Sequence, residues 1–119
     1  MPDEREAGPT LRALGLCAKA GRLVCGTALI CEALRGRNRP LLVLEAADNS
    51  ENTAKRLRDR CAFYGVPLVR LPVSGERLAG ALGKNGRIAA AAVTDRQLCK
   101  LVRGTLRPAP DTLEEEHNL

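Results

Sequence analysis

The residues of this chain able to do chemistry on their own are five cysteines, one histidine and a scatter of acids. The cysteines are Cys17, Cys25, Cys31, Cys61 and Cys99; none forms a CxxC pair, and His117 lies beyond a Pro-x-Pro break. A zinc site needs clustered Cys and His ligands, so no metal is expected, and a Cys/His nucleophile pair lacks a partner. Four of the five thiols fall on the apolar stripes of predicted helices, where a reduced cysteine acts as a small hydrophobe. Glu32, Glu45, Asp48 and Asp59 share no motif for acid–base work, and surface or capping roles account for them. Gly83-Lys84 fails as a P-loop, because Leu78 stands at the first glycine and Asn85 follows the lysine. No GxGxxG follows a strand, which argues against a dinucleotide cofactor. The expectation is a protein with no catalysis and no cofactor.

What remains is chemistry of the backbone. Between Arg22 and Ile30 a short strand reaches Gly26 and turns at once into a helix. Such a turn leaves helix N–H groups facing outward, and with the helix dipole they suit one or two phosphates. Gly26 permits close approach of another backbone, and Thr27 adds a hydroxyl. With no anion bound, the same pair would be an ordinary turn and cap. The glycine-rich basic loop Gly83-Lys84-Asn85-Gly86-Arg87 offers Lys84 and Arg87 to phosphate, and Lys19, Arg22 and Arg37 extend the positive field.

The elements that must position these groups alternate. Thr10 is expected to cap a first helix with Leu11, Leu14, Cys17 and Ala18 at helical spacing, closed by Gly21. Leu23-Val24-Cys25 reads as a strand, and Gly26-Thr27 opens a second helix that ends in the turn Arg35-Gly36-Arg37-Asn38-Arg39 before Pro40. Leu41-Leu42-Val43-Leu44 is a continuous apolar run, as in a strand covered on both faces. Asn49 or Ser50 caps a long helix to about Tyr64, stopped by Gly65. A third strand lies within Val66 to Val73, a short helix follows Ser74, and Ile88 to Val93 is a strand of small residues. Thr94-Asp95-Arg96-Gln97 fits a capping box for the last helix. This alternation predicts an α/β fold, a three-layer α/β/α sandwich around a four-stranded mixed sheet. Residues 1–9 are expected to be a flexible N-terminus, residues 10–107 the folded domain and residues 108–119 an acidic flexible tail.

Composition narrows the partner. At 119 residues, with 45% apolar content, the chain allows one globular domain. No apolar run approaches a membrane span, and the acidic first ten residues do not resemble a secretory signal, so a cytoplasmic protein is expected. Residues 11–107 hold 18 Lys and Arg against 7 acids, while residues 108–119 hold four acids and no base. A body of that sign attracts polyanions, nucleic acid first. One phenylalanine, one tyrosine and no tryptophan cannot build a stacking platform for single-stranded bases, so any RNA is expected to be structured and read by loops and helix ends.

Several stretches then resemble one family in order. The run from Leu14 to Gly26 resembles the opening of ribosomal L-seven-Ae and L-thirty-e proteins, in their bacterial YlxQ-like branch. Residues 47–55, Ala47-Asp48-Asn49-Ser50-Glu51-Asn52-Thr53-Ala54-Lys55, look like that branch's third-helix start. Cys61-Ala62-Phe63-Tyr64-Gly65-Val66-Pro67, Leu82-Gly83-Lys84 and Ala92-Val93-Thr94-Asp95 continue the match, which covers roughly residues 11–105. The resemblance implies the α/β/α fold and binding to kink-turn or related structured RNA, rRNA included, with ribosomal or translation proteins as neighbours and the protein itself a monomer. It places the RNA site at Gly26 to Ile30, the Ala46-Ala47-Asp48 turn and the loop from Gly83 to Ile88. Kink-turn binders of the family carry Gly-Thr-Asn-Glu and a later lysine. Here Gly26 and Thr27 match, but Ala28 and Leu29 replace the Asn and Glu, and Glu32 replaces the lysine. A protein-interaction module on the same fold is the alternative that these replacements motivate.

Overall fold

The computed structural model describes residues 4–106; the expected tail, residues 108–119, lies outside them. A 3₁₀ turn at Glu4–Ala7 leads into α1 (Gly8–Lys19), followed by β1 (Leu23–Cys25), α2 (Thr27–Arg35), β2 (Leu42–Glu45) and α3 (Glu51–Tyr64). Then come β3 (Leu68–Arg70), α4 (Gly75–Ala81), β4 (Ala90–Val93) and α5 (Arg96–Arg103). The sheet order is β1-β4-β2-β3, with β2 and β3 parallel and the other two pairings antiparallel. This is the four-stranded mixed sheet the sequence predicts.

Alternation along the two central strands divides the interior. Leu42, Leu44, Ala91 and Val93 face one side, where Leu14 and Cys17 of α1, Leu78 of α4 and Val102 of α5 close over them. Val43, Ala90 and Ala92 face the other side, against Ile30 and Leu34 of α2 and Leu57 and Cys61 of α3. Each fully buried leucine among these contributes about 1.5–3 kcal/mol relative to an exposed one. The run Ala90-Ala91-Ala92 is buried on both faces, and its short side chains let both helical layers lie close to the sheet.

Local rules explain most boundaries. Ser50, Ser74 and Asp95 accept from the N–H groups of Thr53, Arg77 and Leu98, capping α3, α4 and α5. Gly65 ends α3 with φ +70°, a left-handed position that a β-carbon would strain. The first helix departs from expectation. It starts at Gly8 with Pro9 in its first turn, so residues 4–9 are helical and Ala7 is buried in the core. Thr10 is therefore no cap. It is buried inside α1, with its hydroxyl 2.6 Å from that of Thr105, which in turn donates to the Val102 carbonyl.

Register fixes which loops share an end of the sheet. Leu42 faces Val93, which faces Leu23, while Glu45 faces Ala90 at the other end. The segments after β1 and β2 and before β4 therefore meet at one rim. The segments before β1, β2 and β3 and after β4 lie at the opposite rim.

Candidate nucleic-acid interface

Gly26 closes β1 by donating its N–H to the Ala90 carbonyl at 3.0 Å, with φ +94°, a conformation suited to glycine. The chain then enters α2 with no side-chain cap, unlike α3, α4 and α5. The first hydrogen bond into this turn is Ile30 N–H to the Gly26 carbonyl at 3.0 Å, so the N–H groups of Thr27, Ala28 and Leu29 precede the helical ladder. They form the positive end of a nine-residue helix, as the strand-to-helix reading required.

Beside it stands the turn after β2. Ala46 donates to the Ala89 carbonyl at 2.8 Å, and Asn49 Nδ2 donates to Ala89 at 2.9 Å and to Ala46 at 3.3 Å. One amide side chain thus ties the 46–49 turn to the loop before β4. That loop is tied a second time through Asp48. Its Oδ1 accepts from the Gly75 N–H at 2.9 Å and from Arg87 Nη2 at 2.7 Å. The Gly75 N–H, and after it Arg87, holds the Asp48 carboxyl below the ordinary range for aspartate. Gly75 leaves room for this placement, because a β-carbon there would lie 2.6–2.9 Å from the Arg87 guanidinium and make that side chain shift.

Lys84 lies across the β1–α2 junction and lines an open groove with Cys25, Leu29, Glu32 and Leu82. Burial raises the Cys25 thiol pKa, and the Lys84 charge partly offsets that rise. Gly26, Thr27, Lys84 and Arg87 therefore share one rim, as the sequence suggested. The charge on that rim is lower than the sequence implied: Arg87 is paired with Asp48, and Glu32 shares the groove with Lys84.

Lys19, Arg22 and Arg37 do not join this group. Lys19 and Arg22 flank the turn before β1, and Arg37 follows the C-terminal end of α2, so all three belong to the opposite rim. The three strand residues Leu23–Cys25 separate Arg22 from Gly26, about 13 Å along the backbone. The reading of the acids also needs correction at one position. Glu45 is 5% exposed at the end of β2, with Oε2 3.6 Å from Arg70 Nε and Oε1 without a hydrogen-bond partner. The position of Glu45 next to a continuous apolar run was the available signal, since a strand covered on both faces also buries its last residue. Asn49 reads as a possible cap in the sequence, whereas Ser50 caps α3 and Asn49 joins the two loops.

A three-layer sandwich presenting an uncapped helix start, a short turn and a glycine-rich loop on one rim defines a class of small α/β proteins. The chain belongs to the ribosomal protein L7Ae/L30e/S12e/Gadd45 family, whose model matches residues 10–102. It is 39% identical over 83 residues to the RNA-binding protein YlxQ of Bacillus subtilis (strain 168), covering 70% of this chain and 80% of that one. The Enterococcus faecium RNA-binding protein YlxQ is 36% identical over 58 residues, 49% of this chain and 55% of its own. A Bacillus halodurans protein of unknown function superposes with a TM-score of 0.68 at 30% identity, covering 78% of this chain and 95% of that one. The Giardia lamblia 15.5kD RNA binding protein shares the fold, with a TM-score of 0.74 at 20% identity over 88% of each chain.

Proposed function

We propose that this protein is a non-catalytic RNA-binding protein that takes structured RNA at the rim formed by Gly26–Ile30, the 46–49 turn and the 83–89 loop. The observation that carries this reading is the meeting of an uncapped helix start with the Lys84 loop, held by Asn49 and by the Gly26–Ala90 hydrogen bond. The relatives named as RNA-binding proteins support it. In this reading the N–H groups of Thr27 to Leu29 and the Thr27 hydroxyl receive a phosphate, and Lys84 pairs with a neighbouring one. Ala28 and Leu29 stand where kink-turn binders place base-reading side chains, so recognition rests on backbone shape and charge more than on base edges. Losing such base contacts costs discrimination of about 1–3 kcal/mol each. Ribosomal or other translation RNA in the cytoplasm is the setting this predicts.

Gel-shift titration of a kink-turn hairpin at several salt concentrations tests the proposal. Affinity falls steeply with salt, and Lys84→Ala flattens the dependence by about one phosphate's worth of counterion release. Absence of binding to any folded RNA at low salt rejects it. Leu29, 58% exposed at the mouth of the groove, favours a second reading in which the same rim docks a protein. A partner recovered after nuclease treatment and lost on Leu29→Ser would support that one.

A further inference from the structure

The opposite rim carries more of the positive charge than the cradle does. Lys19, Arg22, Arg35, Arg37 and Arg39 all fall in the segments that end there. The same rim also receives the C-terminal end of α3, where the only two aromatic residues of the chain stand side by side. Phe63 is 80% exposed and belongs to neither core cluster. Its ring meets Tyr64 edge-on, with centroids 4.9 Å apart and planes at 86°. The Arg39 guanidinium lies 4.8 Å from the Tyr64 ring centre, and its Nε donates to the Leu34 carbonyl at 2.9 Å. The exposed ring is thus braced by a tyrosine that is itself held from behind.

The neighbours of Phe63 are also cationic. Arg56, Arg60 and Phe63 follow one another at i, i+4 and i+7, a single stripe along α3. Arg60, Phe63, Tyr64 and Asp59 line a shallow dip, and Asp59 is already engaged by Lys55 at 2.9 Å. A flat apolar face flanked by guanidinium groups fits an unpaired nucleotide: the base stacks on the ring and its phosphates meet the arginines. A paired duplex gains little from such a face, because its bases are already stacked. An isolated exposed phenylalanine would need no explanation, but a braced one in an arginine field matches a polyanion that also carries aromatic rings.

We propose that this rim is a second RNA contact, in which an unpaired nucleotide stacks on Phe63 while Arg56 and Arg60 hold the adjoining phosphates. It rests on the RNA-binding reading above and extends it to a different chemistry, stacking in place of backbone recognition. The α3 helix that connects the two rims is 14 residues, about 21 Å. A folded RNA seated in the cradle would therefore reach the second contact with a single-stranded flank.

The test compares two probes, a blunt kink-turn hairpin and the same hairpin with a short adenosine overhang. The overhang tightens binding to the wild type and quenches the emission of Tyr64, the sole tyrosine in a chain without tryptophan. Phe63→Ala lowers affinity for the overhang probe about tenfold and leaves the blunt probe unchanged, while Phe63→Trp restores the difference. Because Phe63 lies outside the core, circular dichroism melts of these variants should coincide with wild type. Equal affinity of wild type and Phe63→Ala for the overhang probe, with Lys84→Ala still weakening both probes, overturns the second contact and spares the first. Binding of neither probe by any form overturns both. A nuclease-resistant protein partner that depends on Phe63, with RNA affinities unmoved, also overturns it.

Discussion

Asp48→Asn should strengthen RNA binding, because the wild-type carboxylate holds a cation that the cradle could otherwise use. Asparagine keeps an oxygen able to accept the Gly75 N–H, so the loop junction retains its 2.9 Å hydrogen bond. What disappears is the charge facing Arg87 Nη2 at 2.7 Å in a pair that is about half exposed. The released guanidinium can then neutralise one more phosphate, making the slope of log affinity against log salt steeper by about 0.7–0.9. Between 50 and 200 mM salt this amounts to about threefold more loss of affinity than wild type shows. Fluorescence anisotropy with a labelled kink-turn hairpin reads both slopes, and the cycle with Arg87→Ala assigns the gain. Arg87→Ala alone should change the wild-type slope little and should abolish the increment in the Asp48→Asn background. Two results would refute the claim that Asp48 withholds this cation. One is an unchanged slope in Asp48→Asn; the other is a wild-type slope that Arg87→Ala flattens by the whole increment.

Leu57→Ala, at a fully buried position between α3 and the sheet, should cost about 2–5 kcal/mol in urea unfolding, with RNA affinity unchanged in the folded fraction. Cys25 is the one partly exposed thiol among the described cysteines, and Cys61 is pushed by burial to about 11, so iodoacetamide at mild pH should label Cys25 first. Saturating hairpin RNA should protect Cys25, since it shares the groove with Lys84; labelling that is indifferent to RNA would move the ligand elsewhere. The Asp48 carboxyl titrates below its ordinary value, so its tie to Gly75 is charge-assisted above about pH 4 and weakens to a neutral hydrogen bond as pH falls through the folded value. Hydrogen exchange at the Gly75 amide should therefore lose protection relative to core amides only in that acidic window.

The elements of this fold were legible because their signals are local. Ser50 and Ser74 announce two helix starts within the residues they cap, the Thr94-Asp95 pair announces a third although Asp95 and not Thr94 is its cap, and the apolar run at Leu41–Leu44 announces a covered strand. Thr10 shows where such reasoning stops. A threonine before an apolar stripe looks like a cap, but its hydroxyl partner, Thr105, is 95 residues away. The site was half legible for the same reason. Gly26-Thr27 and the Lys84 loop each carry their own pattern, but the pairing of Arg87 with Asp48 spans 39 residues. Arg22 and Arg37 are near Gly26 and Thr27 in sequence yet lie at the far rim, because one strand and one helix each carry the chain across the sheet. Composition argues against any stacking platform for single strands, a judgement about number alone; the exposure of Phe63 and the arginine brace behind Tyr64 depend on packing.

The Asn49 amide presets the shape of the cradle. Because it grips the carbonyls of Ala46 and Ala89 together, the two lips of the cradle behave as a single jaw set before any guest arrives. A guest must match that opening as it stands, and little ordering entropy is lost on capture. Asn49→Ala would uncouple the lips, so slower association and a looser fit would follow from a residue that need never touch the guest.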